Sequence, residues 1–93
     1  MKLKHNEDLI LRKVAGESVL IPTGEMAQKC NGMISLNGPA AFIWEHVEQI
    51  KSEADMVQLL LDAYDVDEET ARRDVRGFLA TAVKVGYLMP VEE

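Results

Sequence analysis

The sequence predicts an α+β fold in which a three-stranded antiparallel sheet is followed by three helices. Three observations carry this reading. β-rich runs separated by turn residues fill the first 36 positions. Apolar residues recur at helical spacing after them. Between the two regimes lies Leu36-Asn37-Gly38-Pro39-Ala40-Ala41-Phe42-Ile43-Trp44, which reads as a strand end, a capped corner and the first turns of a buried helix.

Met1 to Glu7 is polar and is expected to fray. Leu9 to Val14 and Ser18 to Pro22 are two β-rich runs, and Ala15-Gly16-Glu17 between them has the length and the glycine of a hairpin turn. Thr23-Gly24-Glu25 is a further turn. Met26 to Gly32 is weakly patterned, and Asn31-Gly32 is a turn signal. Met33-Ile34-Ser35-Leu36 is the third strand, so the opening third of the chain reads as a meander.

The first helix is expected over about Gly38 to Gln49. Asn37 supplies its N-cap, and Pro39 sits in the first turn, where a missing N–H costs nothing. Ala40, Ile43, Trp44, Val47 and Ile50 form its inward stripe, which places Phe42 opposite and most simply packed under the sheet. Ser52-Glu53-Ala54-Asp55 resembles a capping box with Asp in place of Glu, and opens a second helix carrying Met56, Val57, Leu60, Leu61 and Tyr64. Asp67 caps a third helix from about Glu68 to Val85, with Ala71, Val75, Phe78, Leu79 and Ala82 inward. Gly86 stands where a helix C-terminus wants glycine, Tyr87-Leu88-Met89 is a short apolar tail, and Pro90 stops it. With so small a core, the helices must pack on one face of the sheet.

At 93 residues the chain is one domain, residues 1–93. Its net charge of −6 disfavours generic nucleic-acid binding, which relies on Lys and Arg to neutralise phosphates. The single cysteine, Cys30, excludes an internal disulfide and suits a reducing cytoplasm. Met1 to Asp8 lacks the apolar stretch of a signal peptide, and no apolar run approaches the roughly 18 residues that span a bilayer.

Catalytic chemistry finds little support. The nucleophile–base pair on offer is Cys30 with His46, and nothing local brings them together. No Cys or His pair has metal-ligand spacing, and no glycine-rich phosphate loop exists. The carboxylates between Glu53 and Glu69 sit at caps and solvated faces. The sequence therefore predicts no enzyme, no metal and no cofactor. The third helix is more informative. Between Glu68 and Lys84 it holds four basic residues and three acidic ones, against the acidic trend of the chain. Arg72, Arg76, Leu79 and Val83 cluster on one flank of its core stripe, offering apolar contact with cations, which suits an amphipathic or acidic peptide. The bland alternative pairs Arg72 and Arg76 with nearby acids on the surface. Arg73, Gly77, Ala80 and Lys84 face outward, and the small residues among them admit close approach by a partner. A short meander also has exposed edges, whose unpaired backbone groups suit an extended peptide.

Strands beside three helices are the content of a winged helix-turn-helix. The residues narrow this further. Val19-Leu20-Ile21-Pro22-Thr23-Gly24, then Leu36-Asn37, Phe42-Ile43-Trp44, Ala63-Tyr64-Asp65-Val66-Asp67-Glu68-Glu69, Asp74-Val75-Arg76-Gly77-Phe78-Leu79 and Gly86-Tyr87-Leu88, in this order, resemble the PqqD family over residues 8 to 89. Its members, also called RiPP recognition elements, bind the leader segment of a precursor peptide and present it to a modifying enzyme, often a radical SAM enzyme. The resemblance implies that the peptide adds as a strand beside the third strand and lies against the third helix. The expected binding residues are thus Met33, Ile34, Ser35 and Leu36 with Arg72, Arg76, Leu79 and Val83. The rival expectations are a winged-helix DNA-binding regulator and a structural subunit or homodimer.

Overall fold

A computed structural model describes residues 2–30 and 32–91. Strands β2 (Leu9–Val14) and β3 (Glu17–Pro22) form the expected hairpin. Its two-residue turn, Ala15-Gly16, has φ of 52° and 84°, the positive values a tight hairpin of matching twist requires. Strand β4 (Ile34–Leu36) pairs antiparallel with β3, giving the order β2-β3-β4.

Three helices then follow β4, as expected. Helix α2 (Gly38–His46) is capped by Asn37, whose side-chain oxygen accepts the Ala40 N–H at 2.8 Å. It tightens into a 3₁₀ turn over Val47–Gln49, so the expected single helix ends one turn early. Helix α3 (Glu53–Ala63) is capped by Ser52, which accepts from the Asp55 N–H. The Asp55 carboxylate reaches back to the Lys51 N–H at 3.1 Å, one residue beyond the reach of an ordinary capping box. Helix α4 (Glu68–Val85) is capped by Asp67, which accepts the Thr70 N–H at 2.7 Å, and ends on left-handed Gly86.

The core lies between the sheet and the helices. Leu20, Ile43, Val47, Met56, Leu60, Val75 and Leu88 are its largest fully buried side chains among the described residues, each contributing about 1.5–3 kcal/mol by leaving water. On α2 the buried alanine is Ala41 rather than Ala40. Phe42 is half-buried and meets Tyr64, at the end of α3, edge-on at 5.6 Å, so its ring contact is with the helical layer. Phe78 also packs at the border of the core.

Two expectations are corrected. Of the segment expected to fray, Met1 lies outside the described residues, and the part that follows it is held in place. Strand β1 (Leu3–His5) pairs with β5 (Leu88–Pro90), the supposed tail, in a separate two-stranded ribbon. Leu3 is buried, and Asn6 donates its side-chain amide to the Gly86 carbonyl at 2.8 Å. Three-residue strands are too short to display alternation, and each finds its partner at the opposite end of the chain. The weakly patterned stretch forms helix α1 (Gly24–Lys29), which buries only Met26 and so carries no periodicity. Of the expected turn, Asn31 lies outside the described residues, and Gly32 has φ of 83°.

Candidate functional site

Strand β4 is an edge of its sheet, and the strand register fixes which of its backbone groups are open. The Thr23 N–H bonds to the Asp8 carbonyl at 2.7 Å, which sets the phase of the β2–β3 ladder. Val19 and Ile21 therefore turn their backbone groups to β2, and Ser18 and Leu20 turn theirs to β4. Leu20 faces Ile34 and Ser18 faces Leu36. Alternation then points the N–H and C=O of Ser35 out of the sheet, toward solvent. Pro22 obeys the same phase, because its missing N–H falls on the side away from β2. Ile34 and Leu36 are half-buried against the core, Ser35 is exposed, and Met33, which precedes the strand, is 56% exposed.

The other edges are blocked in part. On β1, the His5 N–H is taken by the Glu48 carboxylate at 2.8 Å. On β5, Pro90 stands where an outward N–H would be, since the bonded positions flanking it are Met89 and Val91. Exposed Arg12 and Lys13 lie on β2, a common way of discouraging strand addition.

The α4 half of the expected site lies elsewhere. Arg72 pairs with Glu68 at 2.8 Å, and Arg76 reaches Glu53 of α3 at 3.5 Å. Both pairs are exposed and contribute little to stability. Leu79 is buried and belongs to the core, so its side chain has little to offer a ligand. Arg76, Leu79, Ala80 and Val83 line one side of a groove of about 560 Å³, whose other side is Lys2, Leu3, Pro90 and Val91, with Glu53 at its end. Helix α4 packs on α3, α2 and β5, whereas β4 packs on β3 and α2. On the opposite flank of α4, Val85 shares a cavity with Met26 and Lys29 of α1. The eight expected residues thus fall into two groups: Met33 to Leu36 at an open strand edge, and Arg72, Arg76, Leu79 and Val83 facing α3 and the ribbon. Lys2, Leu3, Pro90 and Val91 were missed because the ribbon that brings them to α4 joins opposite ends of the chain.

The candidate reactive side chains are engaged structurally. Cys30 is half-buried against the core. His46 Nδ1 donates to the Phe42 carbonyl at 2.9 Å, and its ring packs on Phe42 at 4.3 Å. Among the described residues no group of three His, Cys, Asp or Glu is placed to hold a metal ion, and no helix is long and apolar enough to cross a membrane. Hydrogen bonds from Thr70, side chain first and then backbone, hold the Asp67 carboxyl below its ordinary value, and the nearby Arg73 adds to this. Burial, with a smaller contribution from Cys30, raises the Tyr87 phenol.

Comparison with known proteins bears on this geometry. The family model for Coenzyme PQQ synthesis protein D (PqqD) matches residues 17–88. Two solved structures share the fold. One is TbiB1 in complex with the TbiA(beta) leader peptide, with a TM-score of 0.71, 22% identity and 100% of both chains covered. The other is lasso peptide synthetase B1 complexed with the leader peptide, with a TM-score of 0.75, 21% identity, and 97% of this chain and 100% of that one covered. No curated protein sequence matches the chain.

Proposed function

Because this chain belongs to the PqqD family, we propose that it is a non-catalytic peptide chaperone, which binds the leader segment of a ribosomally made precursor and presents it to a modifying enzyme. The observation that carries the proposal is the open edge of β4. The outward N–H and C=O of Ser35 offer a strand-adding peptide its central pair of hydrogen bonds, with Met33 two residues before it in the same phase. Backbone pairing supplies affinity, and Ile34 and Leu36, half-buried against the core, anchor the strand that offers it. That both similar structures are leader-peptide complexes supports this reading. A radical SAM enzyme is the expected partner class, and the reducing cytoplasm is the expected setting for a chain with one cysteine. The DNA-binding alternative gains no support, because two of the α4 arginines are already paired with Glu68 and Glu53.

The test is an NMR titration with synthetic leader segments of ribosomally made precursor peptides. Amide shifts should concentrate at Met33 to Leu36. Ser35→Pro deletes the outward donor and should weaken binding roughly tenfold or more, with circular dichroism and melting unchanged. Saturable binding that leaves these four residues silent would overturn the assignment.

A further inference from the structure

The sheet face turned away from the helices carries an apolar row that ends at the open β4 edge. Leu20 points into the core, so alternation turns Val19 and Ile21 to the opposite face. Ile10 of β2 stands opposite Ile21 on one side. The β3–β4 register, carried one residue past Ile34, sets Met33 opposite Ile21 on the other. Ile21 and Met33 form a non-hydrogen-bonded pair, the kind that brings facing side chains closest. Ile10 is 39% exposed and Met33 56%, so the row is open to solvent at both ends. The neighbouring row on this face is Arg12, Val19 and Ser35. It differs in kind: Val19 is 4% exposed, which leaves the polar Arg12 and Ser35 at the surface.

Strand geometry names the occupant. A strand added at β4 lies about 4.8 Å away and sends alternate side chains to the two faces of the sheet. Met33 and Ser35 turn their backbone groups to the open side in the same phase, so the added strand pairs with both. One of its side chains on the face away from the helices then falls beside Met33, and the one two residues along falls beside Ser35. An apolar residue at the first position extends the row by one strand and covers the Met33 side chain. A residue at the second position meets a hydroxyl, because Val19 is already covered. We propose that the β4 edge selects its peptide by an apolar residue beside Met33, on the face away from the helices, and is indifferent two residues along, beside Ser35. This specificity rests on the reading of β4 as a strand-adding edge.

The experiment uses the full chain, isotope-labelled at its methionine methyls, with synthetic leader segments of ribosomally made precursor peptides. A nuclear Overhauser contact from the Met33 methyl identifies the peptide residue beside it. Replacing that residue by Ser, and separately by Glu, should weaken binding about fivefold. The same changes at the residue beside Ser35 should alter binding by less than about twofold. Met33→Glu should weaken the parent peptide about fivefold and recover part of the loss when the facing peptide residue is Lys, with melting unchanged because this side chain is exposed. Saturable shifts on β4 without a contact to Met33, or without loss on these substitutions, would overturn the inference and leave the strand-adding edge standing. No saturable binding by the leader segments would overturn both. Concentration-dependent shifts at Met33 without peptide would give the row to a second copy of the chain and overturn the inference as well.

Discussion

The imidazole of His5 lies flat on the indole of Trp44, ring centroids 4.2 Å apart and 12° from parallel. His5 Nε2 also donates to the Trp44 carbonyl. One residue of the short β1 strand is thereby bound to α2 by stacking and by a hydrogen bond. His5→Ala should cost about 1 kcal/mol or somewhat more, lowering Tm by about 4–8 °C per kcal/mol for a domain of this size. His5→Phe should fall between the two, because it keeps the stack and loses the donor. Melting that is identical for all three proteins would show that β1 contributes nothing through this contact.

Gly24 has φ of +51°, and a Cβ there would stand 2.9 Å from the Asp8 carboxylate. That carboxylate accepts the Glu25 N–H at 3.1 Å, so it cannot swing aside without losing a bond. Gly24→Ala should cost about 1–2 kcal/mol from the left-handed backbone alone, with the clash added. A double-mutant cycle with Asp8→Ala should show coupling of at least about 0.5 kcal/mol, since the second change removes the obstacle. Strict additivity would deny the contact.

The strand register separates two neighbouring prolines. Ile34→Pro removes an N–H directed at Leu20 and leaves a carbonyl without its donor, at a cost of about 1–3 kcal/mol. Ser35→Pro removes an outward N–H and should leave chemical denaturation nearly unchanged. Equal losses from both would place the ladder in the opposite phase.

Asp67 provides the acid-dependent prediction. Its folded-state carboxyl titrates below the unfolded one, so its contribution is full above the ordinary aspartate value and fades as pH falls through the folded value. Asp67→Ala should lower Tm at neutral pH, and the gap to the parent should close on acidification. Asp67→Asn keeps a cap without a titrating group, so it should restore part of the neutral-pH stability and still remove this acid-dependent portion. A gap between Asp67→Ala and the parent that is constant from neutral pH to pH about 2 would refute the linkage.

What could be read in advance was local. Asn37, Ser52 and Asp67 announce helix starts because a cap is satisfied within three residues of itself. Gly16 with Ala15 announces the hairpin for the same reason. The stripe on α4 was legible because 18 residues repeat it many times. The ribbon was not, since Leu3 and Pro90 recognise each other only after the intervening chain has folded. The candidate site divides along the same line. Met33 to Leu36 showed itself as a strand, but its edge position and the outward aim of Ser35 needed the register. Arg76 and Val83 showed themselves as one flank of a helix, yet which neighbours that flank meets is a property of the tertiary fold.

The Val91 N–H bonds to the Lys2 carbonyl at 3.0 Å, so the ribbon brings the two ends of the described chain to one spot. Closing so long a loop carries an entropic cost that grows only with the logarithm of its length, so a short ribbon can join ends this far apart in sequence. The spot borders the α4 groove, on the side formed by Lys2 and Val91. A domain tethered to either end would leave from the same place, and a circular permutant joined across Lys2 and Val91 would need only a short linker. Genetic fusion in either order would therefore deliver a tethered protein to the same neighbourhood, with the β4 edge still free to capture its strand.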